Sequence, residues 1–176
     1  SATGYAKSTG KPGICIVTSG PGFTNSITPM TDAANDNVPL IVFSGQVPKA
    51  AMGTQAFQEC PSVEIGKPVT KWSICVDDVE DLPEIIDEAF KVSLNGKKGV
   101  VHIDLPKCIS SSKYQNSKKE KINFNNKIVS DNLIRKKEIN QVSELINKSK
   151  NPIILIGQGC NNSSEELRDF AIKANI

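Results

Sequence analysis

Three short runs of apolar and β-branched residues constrain this chain more than anything else in it: residues 13–18 (GICIVT), 39–44 (PLIVFS) and 100–105 (VVHIDL). None alternates apolar with polar side chains over its length, so each reads as a strand covered on both faces. Between them lie segments of helical spacing. Residues 23–34 follow a Gly-Pro-Gly turn, and residues 79–94 (VEDLPEIIDEAFKVSL) set Leu82, Ile85, Ile86, Ala89, Phe90 and Leu94 on one stripe, with acids early and Lys91 late, as a helix dipole favours. Buried strands alternating with helices predict an α/β fold with a parallel sheet.

Further along, residues 108–131 are rich in Ser, Lys and Asn with little periodicity, which predicts a linker between a first domain, 1–107, and a second, 132–176. The second begins with Leu133, Ile134, Ile139, Val142, Leu145 and Ile146 at mostly helical spacing. A strand PIILIG, the turn GQGCNNSS and a helix from Ser164 are then expected, the opening of another α/β unit. A chain of 176 residues, 38% hydrophobic, is long enough for that arrangement. Its opening, SATGYAKSTGK without an initiator Met, reads as the inside of something longer.

Charge and cysteine usage narrow the partners. With 21 basic and 19 acidic side chains the net charge is +2, which gives no electrostatic case for nucleic acid, and no run is long enough to span a membrane. Cys15, Cys60, Cys75, Cys108 and Cys160 are odd in number, widely spaced and partly embedded in apolar runs, so they read as small buried thiols in a reducing intracellular compartment. The single His102 cannot make a zinc site alone, and it shares a strand face with Asp104, as a hydrogen-bonded core histidine would. Trp72 is read as a core or interface anchor.

Glycine-rich turns raise the question of phosphate binding. GYAKSTGKP is one residue too long for a P-loop and has Pro12 where Ser or Thr is required, which excludes it. Gly20-Pro21-Gly22 and Gly157-Gln158-Gly159 both fit G-x-G-x-x-N and lack the third glycine of a dinucleotide fingerprint, leaving a tight strand-to-helix turn as the plainer reading. At the first turn Pro21 has no N–H to donate, and no Lys or Arg lies between Lys11 and Lys49. Such a lining suits a flat uncharged ring better than a diphosphate. Residues 45–59 (GQVPKAAMGTQAFQE) form a long loop after a buried strand, carrying Ala56 and Phe57 beside the amide of Gln58.

Taken together, GYA-x-x-T-GK-x-G, TSGPG-x-TN, D-x-x-P before an apolar run, GQVP, G-T-x-AFQE, TK, DVEDLP, EAF, DLPK and G-x-GC-x-N follow one another in a way that resembles the catalytic subunits of acetolactate synthase (acetohydroxyacid synthase), a thiamine-diphosphate enzyme family. The resemblance implies that 1–107 is the later part of a pyrimidine-binding domain of the thiamine-diphosphate-binding fold, and that 132–176 starts a Rossmann-like central domain associated with FAD. It implies the following roles. Pro21 and Asn25 pack against the cofactor's aminopyrimidine. Gln58 is an auxiliary catalytic amide near the thiazolium. Pro48, Ala56, Phe57 and Lys107 line the substrate channel, and Gly157, Gln158, Gly159 and Lys97 approach FAD. The family's GRPGPV is GKKGVV here, so Lys97 brings a point charge where a planar arginine is usual.

The implied reaction is decarboxylation of pyruvate on thiamine diphosphate and condensation with a second 2-ketoacid, pyruvate or 2-ketobutyrate, in the biosynthesis of valine, isoleucine and leucine. The glutamate that activates the cofactor would lie a few residues ahead of Ser1, and the Gly-Asp-Gly motif holding Mg2+ would lie beyond Ile176. The chain is therefore expected to be an internal fragment, inactive alone, of a homodimeric or homotetrameric subunit with a small regulatory partner, mitochondrial or plastid in a eukaryote and otherwise cytoplasmic. A neighbouring thiamine-diphosphate carboligase or oxidase, and a non-catalytic homologue kept as a binding or assembly module, remain as alternatives.

Overall fold

A computed structural model describes residues 1–116 and 136–176. The chain divides into two units, Ser1–Val129 and Ser130–Ile176. In the first, a helix α1 (Ala2–Thr9) precedes strand β1 (Gly13–Val17), helix α2 (Pro21–Asn35) and strand β2 (Leu40–Gln46). A long loop then carries the short helix α3 (Ser62–Gly66), followed by β3 (Trp72–Cys75), α4 (Leu82–Leu94), β4 (Val100–Pro106) and the short α5 (Lys107–Ser110).

The four strands form one parallel sheet in the order β1-β2-β4-β3. Because alternate side chains face opposite ways, the sheet sorts its apolar residues into two cores. Leu40, Val42 and Val100 pack under Phe23, Met30 and Ala33 of α2 and Ala6 of α1. Ile41, Val101 and Ile103 pack under Ile85, Ala89 and Val92 of α4. Each fully buried aliphatic contributes about 1.5–3 kcal/mol, so β2 and β4, covered on both faces, are the anchor of this unit. β1 is an edge: Ile14 and Ile16, on the α4 side, are 51% and 78% exposed.

Two details fix the crossovers. Pro29 inside α2 has no amide to give the carbonyl of Asn25, and the helix tolerates it because both residues are exposed and water can serve that carbonyl. At the far end of α4, the Lys71 amine donates to the carbonyls of Val92 and Asn95, capping the helix terminus with a cation.

In the first unit the expected strands and helices appear with shifted ends, and four elements were not anticipated: α1, β3 and the short α3 and α5. The second unit holds α6 (Lys136–Lys148), a 3-10 turn Gln158–Ser163 and α7 (Ser164–Ala174). The strand expected at PIILIG is not one: residues 152–157 take no regular secondary structure, and Ile153 and Leu155 stand in solvent. A strand needs a neighbour to take its amides and carbonyls, and none pairs with it among the described residues. Residues 117–131 of the expected linker, and Leu133 and Ile134 of the expected helix, lie outside the described residues.

Candidate functional site

The carboxyl ends of the strands in a parallel sheet are where ligands gather, and this sheet turns polar there. Ser44, Gln46, His102 and Asp104 all point to the α2 face and are buried. Ser44 Oγ donates to Asp104 Oδ1 at 2.5 Å and lies 2.8 Å from His102 Nε2. Ser73 Oγ is 2.8 Å from His102 Nδ1. Since the Ser44 hydroxyl proton is committed to the carboxylate, Nε2 carries the imidazole proton and Nδ1 accepts from Ser73. Phe23 stacks on the ring, centroids 4.3 Å apart.

His102 is therefore a core histidine with both nitrogens occupied. Burial pushes its pKa down from 6.5 to about 4, while burial pushes the Asp104 carboxyl up, against its hydrogen bonds from Ser44, Ser62 and Gln46. Below pH 6.5 the unfolded chain takes a proton on His102 and the folded chain does not, so stability is complete above pH 6.5 and falls by up to about 3 kcal/mol as pH drops towards 4. Asp104, which holds a proton better when folded, offsets part of that loss. Denaturation midpoints measured between those limits are expected to slope more steeply in the wild type than in His102→Gln, and equal slopes would refute the assignment.

The same carboxylate reaches the long loop. Gln46 Nε2 lies 3.0 Å from Asp104 Oδ2, 2.7 Å from the Cys60 carbonyl and 3.2 Å from Ser62 Oγ, its Oε1 accepts from the Val47 amide, and Ser62 also donates to Asp104. Residues 60–62 are thereby pinned to β2 and β4. Immediately before them the chain turns sharply: the Glu59 amide donates to the Ala56 carbonyl at 2.9 Å, with Gln58 at the third turn position and φ +62°. That conformation favours glycine and costs a glutamine about 1–3 kcal/mol. Gln55, at φ +61°, carries a similar strain. The Glu59 carboxylate accepts from the amides of Gly53 and Ala56, and these bonds hold its pKa below the ordinary carboxylate range.

Gln58 lands against the TSGPG turn. Gly20, φ +57° and ψ −110°, lies so close that a Cβ there would stand 2.7 Å from the Gln58 carbonyl oxygen, and Ser19 Oγ is 3.4 Å from Gln58 Oε1. Gly45, at the end of β2, makes room for the turn: a Cβ there would be 3.2 Å from the Ser19 amide. Within the turn the Gly22 and Thr24 amides already donate to the Ser19 and Gly20 carbonyls, which leaves it poorer still in donors for a phosphate.

Of the other expected site residues, Pro21 and Asn25 are exposed on the first turns of α2, one helical turn apart. Pro48 and Lys107, also exposed, follow β2 and β4, whose last paired residues are Gln46 and Pro106. Phe57 is 89% exposed. Ala56 lines a cleft of about 550 Å3 with Met52 and Cys75, floored by Gln46, Ser62 and Asp104, which Pro48, Phe57, Gln58 and Lys107 do not line. Lys97 is exposed in the turn before β4, at the opposite end of the sheet from Gln58. Gly157, Gln158 and Gly159 are exposed in the second unit, with nothing within 4 Å of a Cβ built on either glycine. Gln46, Glu59 and Ser62 were missed from sequence. A glutamine closing an otherwise apolar strand was the available signal for the first.

All five cysteines are free thiols, and Cys60 alone is fully buried. Among the described residues no group of three His, Cys, Asp or Glu could hold a metal ion, and no helix is long and apolar enough to cross a membrane.

Comparison with known proteins agrees on one lineage. Residues 1–65 match the family model described as thiamine pyrophosphate enzyme, N-terminal TPP binding domain. Over 99% of its length the chain is 41% identical to the mitochondrial acetolactate synthase catalytic subunit of Saccharomyces cerevisiae, of which it covers 27%. It is 43% identical over 96% of its length to a chloroplastic acetolactate synthase of Arabidopsis thaliana, covering 25%, and 42% identical over 96% to acetolactate synthase 2, chloroplastic, of Nicotiana tabacum, covering 26%. The chain thus spans about a quarter of the length of the curated relatives it matches.

Proposed function

The chain belongs to the acetolactate synthase family, and from that premise we propose that it forms the pyrimidine side of a thiamine-diphosphate site in a protein that makes acetolactate from pyruvate. One observation carries the reading. The TSGPG turn and the AFQE turn, 39 positions apart at Ser19 and Gln58, are folded against each other at the carboxyl edge of the sheet, with a glutamine in a backbone conformation that costs energy.

The residues present fit the ring end of that cofactor. Pro21 and Phe57 offer exposed apolar surface, no cation lies in the turn, and its Gly22 and Thr24 amides are occupied. Asn25 supplies both a donor and an acceptor one turn along α2. When bound, thiamine diphosphate supplies the nucleophilic carbon and the electron sink for decarboxylation and carbon–carbon bond formation. Gln58 orients the reacting groups with its amide, and Phe57 and Pro48 shield them from water. Magnesium and the diphosphate would be held by residues outside this chain. In the second unit, Gly157 and Gly159 leave the open space that close approach of a flavin dinucleotide needs.

In the full-length protein, Gln58→Ala is expected to lower acetolactate formation by about a hundredfold while thiamine-diphosphate affinity changes little. Gln58→Gly removes the same amide but accepts φ +62° without strain, so it should be as inactive yet more stable. Activity within a few-fold of wild type in both variants would sink the role of Gln58.

A further inference from the structure

We propose that Glu59 is a positioning residue, whose carboxylate folds residues 53–59 into a closed loop and thereby holds Gln58 against the TSGPG turn. The proposal rests on the assigned function for its link to catalysis, and on geometry alone for the loop.

Two glutamines, Gln55 and Gln58, and one glycine, Gly53, adopt left-handed backbone within six positions. No regular element supports them: the nearest flanking structures are the 3-10 turn Lys49–Ala51 and α3. What spans the segment is one side chain. Glu59 accepts from the Gly53 amide on Oε1 and from the Ala56 amide on Oε2 at 3.1 Å, so both oxygens grip the backbone on either side of Gln55. Its own amide donates to the Ala56 carbonyl, which closes the turn around Gln58. These carboxylate bonds go to the loop's own backbone rather than to the TSGPG turn. Gln46 and Ser62 pin the chain just downstream, and upstream the Thr54 amide and hydroxyl tie back only to the Ala51 carbonyl, so it is the Glu59 bonds that join the two halves of the loop.

The charge matters as well as the shape. Hydrogen bonds to an ionised carboxylate are roughly twice as strong as neutral ones. A glutamine at 59 keeps one carbonyl acceptor and presents an NH2 group to the second amide, which cannot accept. Glu59→Gln should therefore leave one of the two amides protected, and Glu59→Ala neither.

The test compares wild type, Glu59→Gln and Glu59→Ala in the full-length protein, by hydrogen exchange of the peptide covering residues 53–59 and by steady-state kinetics with pyruvate. Exchange in that peptide is expected to quicken by about tenfold or more in Glu59→Ala, with Glu59→Gln intermediate and the β2 and β4 peptides unchanged. In the same variant kcat should fall about tenfold while thiamine-diphosphate affinity stays within about twofold, a split that general unfolding would not produce. Unchanged exchange at 53–59, or faster exchange with wild-type kcat, overturns the proposal. A wild-type protein that forms no acetolactate would overturn the functional reading instead, and the exchange experiment would still decide whether Glu59 holds the loop.

Discussion

Asp104→Ala is expected to destabilise the first unit by about 3–5 kcal/mol, because the lost carboxylate is 1% exposed and accepts from Ser44, Ser62 and Gln46. Removing it strands donors in a dry interior, each costing about 1–3 kcal/mol when left unpaired. Part is recovered, since Ser44 can turn its proton to His102 Nε2 if the imidazole changes tautomer, and Gln46 keeps the Cys60 carbonyl. Asp104→Asn retains one acceptor but aims an NH2 group at donors, so it should lose less, about 2–3 kcal/mol. Chemical denaturation of the three proteins checks this. A loss below about 1 kcal/mol in Asp104→Ala would mean that the network is not a structural centre. The loop should loosen with it, because Gln46 and Ser62 tie residues 60–62 to this carboxylate.

Gly20→Ala is expected to have the second largest effect, and its control lies in the same site. A methyl group at Gly20 would stand 2.7 Å from the Gln58 carbonyl oxygen, a backbone atom that cannot swing away as a side-chain tip could. The conformation, φ +57° and ψ −110°, is itself one that only glycine adopts readily. Strain and overlap together predict about 2–4 kcal/mol lost at the turn, read in the full-length protein as thiamine-diphosphate affinity falling by roughly a hundredfold. Gly53 also has positive φ, +80°, but nothing lies within 4 Å of a Cβ built there. Gly53→Ala should therefore cost only its strain, about 1 kcal/mol. If the two substitutions prove equal, close approach to Gln58 is not what position 20 requires.

How much of this could be read in advance depends on what each feature is made of. β2 and β4 were legible because burial on both faces favours short runs dense in apolar, β-branched residues, and PLIVFS and VVHIDL are such runs despite Ser44, His102 and Asp104. β3 was not: WSIC is four residues long and half-buried throughout, so neither length nor alternation marks it. α1 hides in GYAKSTG, where Gly, Ser and Thr weaken the helical signal and only Ala6 is buried. PIILIG misled in the opposite direction: its apolar run reads as a buried strand, but Ile153 and Leu155 stand in solvent and no strand among the described residues pairs with it. In the site, the absence of donors at Pro21 and the shared face of His102 and Asp104 were visible from chemistry and period. That Ser19 would meet Gln58, or that Glu59 would turn back on Gly53, was not, because those contacts are set by how the loop folds over the sheet edge and leave no periodic trace.

The open flank of β1 bears on how this chain behaves in a test tube. Ile14 and Ile16 form a short greasy ledge on a strand paired only with β2 among the described residues, which is the kind of surface through which identical molecules stack edge to edge. A net charge of +2 offers little mutual repulsion to keep copies apart. Concentrated preparations of these 176 residues would therefore cloud and precipitate well before the fold itself gave way.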